Sequence, residues 1–245
     1  MSDLNTKIIP FEFTAQQASH AFARYVSRNK LNPTEIFEAA RQERVKPVYF
    51  PAFVFDCEMT TVLQSECTKR EAEEVGTVFA QRELQSEFAG ILALSGDKVD
   101  ETLLSLLEPY DLQGLKDYDS ALTVRAEVQK AVLSAQEAFE KLRPEIEQSA
   151  VNEIKKTLRD YTSEKTQNLS HSFNSVNSKS ILLPMWVLDC EYRGQPCRLF
   201  MNGQTGKIAG VPPRSRTKML AFLGAGAAVG AVIGQLIWMA VKTIW

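Results

Sequence analysis

The strongest constraint on this chain is an uncharged apolar segment close to its last residue. Residues 219–241 contain no charged side chain and lie between Lys218 and Lys242. A helix over this range would be about 34 Å long, which exceeds the roughly 30 Å hydrocarbon core of a bilayer. Trp238 and Trp245 lie near its end, where amphipathic rings favour the membrane interface. The segment predicts a transmembrane tail anchor; the alternative is a buried core helix, although such helices are usually shorter.

Basic residues on either side of this segment predict its orientation. Arg214, Arg216 and Lys218 precede it, whereas Lys242 alone follows it. The positive-inside rule then places the large N-terminal part in the cytoplasm, as one domain over residues 1–213. The first residues of the chain contain no apolar signal-peptide region, which is consistent with this orientation.

Small residues repeat along the apolar segment. Gly226, Gly230 and Gly234 form two overlapping G-x-x-x-G units, a spacing that lets a second helix approach closely. The pattern predicts helix packing, either with a second copy or with another membrane protein. The alternative is that glycine is simply common in membrane helices.

Charge and cysteine spacing exclude several classes of function. The formal net charge is −2, and no basic block alternates with aromatic residues, so no nucleic-acid partner is expected. None of the four cysteines forms a C-x-x-C pair, so no zinc ribbon is encoded. Cys190 and Cys197 are expected to face each other across a hairpin that turns at Arg193-Gly194. Packing as free thiols is the main interpretation; a disulfide or a metal site is the alternative.

Hydrophobic periodicity predicts a mixture of helices and strands. Thr14 and Gln17 form a capping box that begins a helix to about Arg28. Further along, the predicted helices cover 97–107, about 121–142 and 146–161, with Pro144 kinking or breaking the helix between the last two. Residues 68–89 are ambiguous between helix and strand, and the polar segment 162–180 reads as a loop or an exposed edge strand.

Two strand segments resemble each other in sequence. VYFPAFVFDCEM at 48–59 and ILLPMWVLDCEY at 181–192 share the order of a proline, an aromatic residue, a valine and Asp-Cys-Glu. We therefore expect an α+β fold with two similar antiparallel β hairpin units near 46–68 and 181–210. An amphipathic helical insert at about 98–161 would separate them, and one C-terminal transmembrane helix would follow. Convergence on a common edge-strand sequence is the alternative.

The repeated Asp-x-Glu is the best candidate for chemistry. Within each strand, Asp56 lies on the same face as Glu58, and Asp189 on the same face as Glu191. Four carboxylates on one surface could bind a hard cation or act as acid and base. The same alternation is typical of any half-solvated antiparallel sheet, and that interpretation is favoured. The two histidines have no partner at a familiar spacing, so no catalytic residue and no cofactor is predicted.

One segment looks like a phosphate-binding loop but departs from the pattern. Gly203-Gln-Thr-Gly-Lys207 lies where Met201 and Ile208 replace the glycine and the Ser/Thr that a Walker motif needs. It also lies between two predicted strands. Asn202, Gly203 and Gly206 are therefore interpreted as structural turn residues.

Several segments together resemble a bacterial membrane-protein family described as TFIIB-type zinc-ribbon-containing. They are KIIPF at 7–11, VYFPAFVFD at 48–56, LLSLLEPYDLQGLKDYDSALT at 103–123 and the segment 182–218, of which MNGQTGK is the most specific part. Members typically carry an N-terminal four-cysteine zinc ribbon, which this chain lacks, so zinc and nucleic-acid binding do not carry over. The resemblance implies a protein of the bacterial inner membrane, with SPFH/flotillin-like or phage-shock-type proteins as partners.

These observations predict a non-enzymatic, membrane-tethered scaffold or adaptor. It would recruit protein partners, or further copies of itself, at the cytoplasmic surface of the inner membrane, with envelope stress as the expected setting. The alternatives are a membrane-tethered metal-dependent enzyme and a lipid- or peptide-binding module, both built on the Asp-Cys-Glu sheet face.

Overall fold

The computed structural model describes residues 6–41, 44–71, 74–96 and 101–220. Three strands are much longer than the others, and the remaining elements are short except for two helices. The strands are β1 (Lys7–Ile8), β2 (Val45–Glu71), β3 (Glu74–Leu94), β4 (Lys116–Asp117), β5 (Glu127–Val128), β6 (Ser163–Tyr192), β7 (Gln195–Asn202) and β8 (Ile208–Ala209). The helices are α1 (Ala15–Ser27), α2 (Thr34–Arg41), α3 (Glu101–Leu107), α4 (Ser120–Thr123) and α5 (Ala135–Lys156), with a 3-10 turn at Leu112–Gly114.

The strands form one mixed eight-stranded sheet, and this corrects the predicted fold class. The order is β3-β2-β6-β1-β4, with β5 beside β2, β7 beside β6 and β8 beside β7. The β1–β6 and β2–β5 pairs are parallel, whereas β2–β3 and β6–β7 are antiparallel. The chain is thus mostly β rather than an α+β fold of two antiparallel hairpin units. The prediction was wrong because two polar segments, 68–89 and 162–180, are long strands whose exposed positions carry few apolar residues.

The chain divides into two compact units, described separately below. Unit 1 consists of Met1–Pro10, Val48–Ser105 and Pro109–Pro184, and unit 2 of Phe11–Pro47, Leu106–Glu108 and Met185–Trp245. The two similar segments at 48–59 and 181–192 therefore do not form two equivalent units, since the second one runs from unit 1 into unit 2.

In unit 1, α5 covers one face of the long strands. Alternate residues of β2 from Phe55 to Cys67 pack beneath it, against the buried side of the helix that includes Phe139 and Ile154. Side-chain contacts also join β2 to β6, and their order shows that these strands run in opposite directions. The contacts are Thr60 with Asn174, Thr61 with His171, Ser65 with Glu164 and Thr68 with Ser163.

The observed α5 differs from the two predicted helices. Ser134 begins it through a capping box with Glu137, and Pro144 lies inside it without ending it. Val124, Val128 and other apolar residues upstream of Ser134 are exposed and belong to separate short elements. The predicted helix over 121–142 therefore began too early, because a chance apolar spacing extended it beyond its cap.

In unit 2, α1 and α2 pack on the end of β6 and on β7. Phe22 and Ile36 are fully buried in a core that also contains Trp186 and Leu199. α1 begins at the predicted capping box, with Thr14 Oγ1 accepting from the Gln17 N–H at 3.3 Å. This part of the fold agrees with the predicted helix.

Among the described residues, no helix is long and apolar enough to cross a membrane. This finding contradicts the predicted fold with a C-terminal transmembrane helix, and with it the description as a single-pass, tail-anchored membrane protein. The long helix α5 carries charged residues on its exposed side, among them Glu140 and Arg143. The predicted segment 219–241 lies, after Leu220, outside the described residues, as do Gly226, Gly230 and Gly234.

Candidate functional site

The face of β2 and β3 that α5 does not cover is rich in acidic and amide side chains. Directly paired residues of antiparallel strands point to the same face, so the register assigns each side chain. The exposed positions include Gln64 on β2, and Gln81 and Gln85 on β3. We call the set formed by Glu58, Glu66, Phe79, Glu83 and Glu87 the acidic face.

Two carboxylates of the acidic face lie directly opposite each other. Glu58 on β2 pairs with Glu87 on β3, and both side chains are exposed. Glu83 lies on the same face of β3, four residues from Glu87 and two from Gln85. Like charges directly opposite each other on neighbouring strands are destabilising. The arrangement therefore gives this face an unfavourable negative potential that a cationic group would relieve.

The acidic face also contains an exposed aromatic ring. Phe79 is opposite Glu66, and 77% of Phe79 is exposed. A shallow groove of about 580 Å³ runs past it, and Gln64, Gln81 and Gln167 contribute to its lining. Gln167 Nε2 donates to Glu66 Oε2 at 2.9 Å, so this carboxylate is already hydrogen-bonded. The groove thus combines an apolar ring with amide donors and acceptors.

Asp56 has a structural role next to the acidic face. The register of β2 and β3 shifts between Phe55 and Cys57, which marks a β-bulge. Gly90 lies in this bulge on β3 with φ +72°, and its N–H donates to Asp56 Oδ1 at 2.9 Å. Lys179 Nζ lies 3.5 Å from Asp56 Oδ2. The predicted candidate Asp56 therefore holds a bulge and an ion pair in place.

The second predicted acidic pair belongs to unit 2. Asp189 lies directly opposite Arg198, and Arg198 Nε donates to Asp189 Oδ1 at 2.6 Å. Glu191 lies opposite Pro196 and is exposed. In the described part of the chain, no group of three or more His, Cys, Asp or Glu side chains could hold a metal ion. The metal-dependent alternative therefore gains no support from these residues and stays a prediction.

All four cysteines are buried free thiols. In unit 1, burial raises the pKa of the Cys57 and Cys67 thiols, and the neighbouring charges of Asp56 and Glu164 add to these shifts. In unit 2, Cys190 and Cys197 lie directly opposite each other next to the Arg193-Gly194 turn. This is the placement that the hairpin pattern predicts.

The two thiols of that pair differ in their acidity. Hydrogen bonding with Cys197, followed by burial, raises the pKa of Cys190. The same hydrogen bond lowers the pKa of Cys197, against the opposing effect of burial. Cys197 is therefore the more acidic thiol of the two.

Asn202 organises the turn between β7 and β8. Its Oδ1 accepts from the N–H groups of Gln204 at 2.8 Å and Thr205 at 3.0 Å, and the residue is fully buried. Gly206 has φ +75°, and a Cβ there would lie 2.7 Å from Phe13 Cζ. Gly203 accepts from the Glu12 N–H through its carbonyl at 2.9 Å. These contacts give Asn202, Gly203 and Gly206 roles in turn geometry and packing.

The most exposed part of the acidic face was not among the predicted candidates. Phe79, Glu83 and Glu87 lie in the segment 68–89, which was ambiguous between helix and strand. The signal that identifies them is alternation from Phe79 to Glu87, where every second residue is exposed and the residues between are buried or half-buried. Phe79, Glu83 and Glu87 are four residues apart and would share one side of a helix as well, so the exposed Gln81 and Gln85 between them distinguish the strand pattern.

Comparisons with known proteins provide one relative and no description of activity. No protein-family model matches the chain. No solved structure matches it. The chain is 29% identical over 224 residues to a protein named "Uncharacterized protein YdjG" from Bacillus subtilis (strain 168). The match covers 88% of this chain and 66% of that protein, so the chain spans just under two thirds of the relative's length. The zinc-ribbon family resemblance is not tested by this relative and stays a prediction.

Proposed function

We propose that this protein is a non-enzymatic adaptor whose acidic face binds a basic, extended segment of a partner protein. The observation that carries the proposal is the Glu58–Glu87 pair, two exposed carboxylates placed directly opposite each other. A sheet selected for stability alone would place unlike charges there, since cross-strand charge pairs of opposite sign are favourable. A lysine or arginine from a partner would contact both carboxylates at once.

The edge of the sheet supports an extended partner. Among the described residues, β3 pairs with β2 on one side and with no strand on the other. A free edge offers backbone N–H and C=O groups to an added strand, and alternate side chains of that strand then reach one face. Basic residues at every second position would therefore lie on the same face of the sheet as Glu83 and Glu87, next to the acidic face.

Phe79 supplies the apolar part of the proposed contact. Its ring is largely exposed beside the 580 Å³ groove, where an apolar side chain of the partner would bury it. Aromatic residues that become buried at the centre of an interface commonly dominate its energy. The proposed segment is therefore basic, extended and interrupted by at least one apolar residue.

The proposal is tested with labelled peptides of alternating sequence and the full chain. A Lys-Val repeat of eight residues is compared with a Glu-Val repeat of the same length by fluorescence anisotropy. We expect the Lys-Val peptide alone to bind, and the double variant Glu58→Gln/Glu87→Gln to bind it at least tenfold more weakly. Removal of the repulsion between Glu58 and Glu87 should also raise the midpoint of thermal unfolding of the double variant. Weaker binding could then not be explained by unfolding.

A charge-matched variant tests whether peptide binding depends on the acidic face or only on the net charge of the chain. Glu145→Gln/Glu153→Gln changes two exposed carboxylates of α5, the helix on the opposite face of the sheet. We expect this variant to bind the Lys-Val peptide as the wild type does. An equal loss in both double variants, or binding of both peptides with the same affinity, would overturn the proposal.

A further inference from the structure

Unit 2 contains a cleft of about 350 Å³ that is lined by cations and by no acidic residue. Its walls are α1 and the turn between β7 and β8, and all its lining residues belong to unit 2. Three of them are basic: Arg24 in the last turn of α1, Arg28 at the C-cap of α1, and Lys207 in the turn. The charge of this cleft is opposite in sign to that of the acidic face.

The cleft brings like charges close together. Arg24 and Arg28 are four residues apart, so they share one side of the helix, where like charges repel each other. In the described part of the chain, neither guanidinium forms an ion pair. The helix dipole favours basic residues at this end of α1 but does not account for Lys207, which comes from a separate segment.

The walls of the cleft are held in place by contacts within unit 2. Lys207 Nζ donates to the Glu108 carbonyl at 2.6 Å, and Tyr25 Oη donates to the Gly210 carbonyl at 3.1 Å. Gly206 packs so closely on Phe13 that no side chain fits at this position. The Lys207 ammonium and the walls of the cleft are thus held in place before any ligand arrives, which lowers the entropy cost of binding.

We propose that this cleft binds the diphosphate group of a small molecule. Guanidinium groups donate paired hydrogen bonds to phosphate oxygens, and a lysine adds a compact charge. Two arginines and a lysine match the two to three negative charges of a diphosphate. The volume lies at the lower end of the range for small-molecule sites. Ala21, Ile208 and the ring of Tyr25 provide apolar surface for an organic group attached to the phosphate.

Isothermal titration calorimetry with the full chain tests this site in phosphate-free buffer. Inorganic pyrophosphate and ADP are the two probes, and they share the diphosphate group. We expect saturable binding at one site, weakened at least tenfold by Arg24→Gln and by Lys207→Gln. Arg24→Lys keeps the charge but loses the paired donors, so an intermediate loss is expected. Tighter binding of ADP than of pyrophosphate would show that the organic group contributes; equal binding would assign the site to the diphosphate alone.

Arg159→Gln is the matched control, because it removes one exposed cation from unit 1. It should bind both probes as the wild type does. Thermal unfolding of each variant establishes that the fold is intact. The proposal is overturned if neither probe gives saturable binding at millimolar concentration, or if Arg159→Gln weakens binding as much as Arg24→Gln.

Discussion

Asn202 Nδ2 donates a hydrogen bond to the carbonyl of Leu107 at 3.0 Å, in a fully buried position of unit 2. The same side chain accepts two backbone N–H groups through Oδ1. One amide thus ties the last residue of α3 to the turn between β7 and β8. No other side chain of this size offers two acceptor lone pairs and a donor in this geometry.

Asn202→Ala is expected to lower the free energy of unfolding by about 2–3 kcal/mol, because it leaves buried backbone groups without partners. Urea denaturation followed by circular dichroism measures the change. Asn202→Asp keeps the acceptor for the two N–H groups but places a buried carboxylate oxygen against the Leu107 carbonyl, so a loss at least as large is expected at pH 7. An alanine variant as stable as the wild type would show that the turn does not depend on this side chain.

Gly206→Ala should be more destabilising than Gly194→Ala. Both glycines have positive φ, +75° and +77°, so alanine pays the same cost of about 1–2 kcal/mol for a left-handed backbone. A Cβ at Gly194 meets nothing within 4 Å, whereas a Cβ at Gly206 would lie 2.7 Å from Phe13 Cζ. The difference between the two variants in chemical denaturation therefore isolates the steric clash. Equal losses would mean that the Phe13 ring moves aside freely.

Glu164 should make the free energy of unfolding depend on pH below neutrality. Burial raises the pKa of this carboxyl, but hydrogen bonds from Thr166 and Ser65 and the charge of Lys155 outweigh it, so the pKa is lowered from 4.5. A lowered pKa in the folded state stabilises the protein above the unfolded value, and this stability is lost as the pH falls through the folded value. Glu164→Gln should therefore cost about 1.5 kcal/mol at pH 7 and much less at pH 3.

Urea denaturation of the wild type and Glu164→Gln at both pH values measures this difference. Glu145→Gln serves as the control, since Glu145 is exposed on α5. Its stability relative to the wild type should not change between pH 7 and pH 3. An equal difference in unfolding free energy between wild type and Glu164→Gln at both pH values would contradict a lowered pKa of Glu164.

The four buried thiols should differ in their reactivity with iodoacetamide. Burial raises the pKa of Cys57 and Cys67, so little thiolate is present at pH 8, whereas the pKa of Cys197 is lowered by its hydrogen bond with Cys190. Thiolate is the reactive form. We expect mass spectrometry to show Cys197 modified at least tenfold faster than Cys57 or Cys67 in the folded chain. All four should react at similar rates in urea; faster labelling of Cys57 than of Cys197 in the folded chain would contradict this order.

Local signals were sufficient to predict the short elements of unit 2. The capping box at Thr14 and Gln17 locates the start of α1, and the Arg193-Gly194 turn places Cys190 opposite Cys197. In each case the determining contacts lie within a few residues along the chain. Local hydrogen bonds and turn geometry therefore dictate the structure there with little help from the rest of the fold.

The long strands of unit 1 could not be predicted in the same way. The exposed positions of β3 and of the first half of β6 carry Gln, Asn, Ser and Glu, so their alternation contains little hydrophobic contrast. β6 contacts β2 residues that lie 95 to 114 positions away in sequence, whereas β3 forms a long antiparallel hairpin with β2. The Asp-x-Glu repeat likewise does not reveal that Asp56 accepts from the Gly90 N–H and that Asp189 accepts from Arg198.

The bulge at Asp56 and Gly90 sets the phase of the whole β2–β3 hairpin. Phe55 pairs with Ile91, but two residues later Cys57 pairs with Phe88, so odd-numbered β3 residues face α5 before the bulge and face away after it. Regular pairing without the bulge, with every residue kept, would shift that phase by one residue, and Phe79 and Glu87 would exchange sides with their neighbours. One extra residue at the bulge thus decides which side chains of an entire strand are presented to solvent.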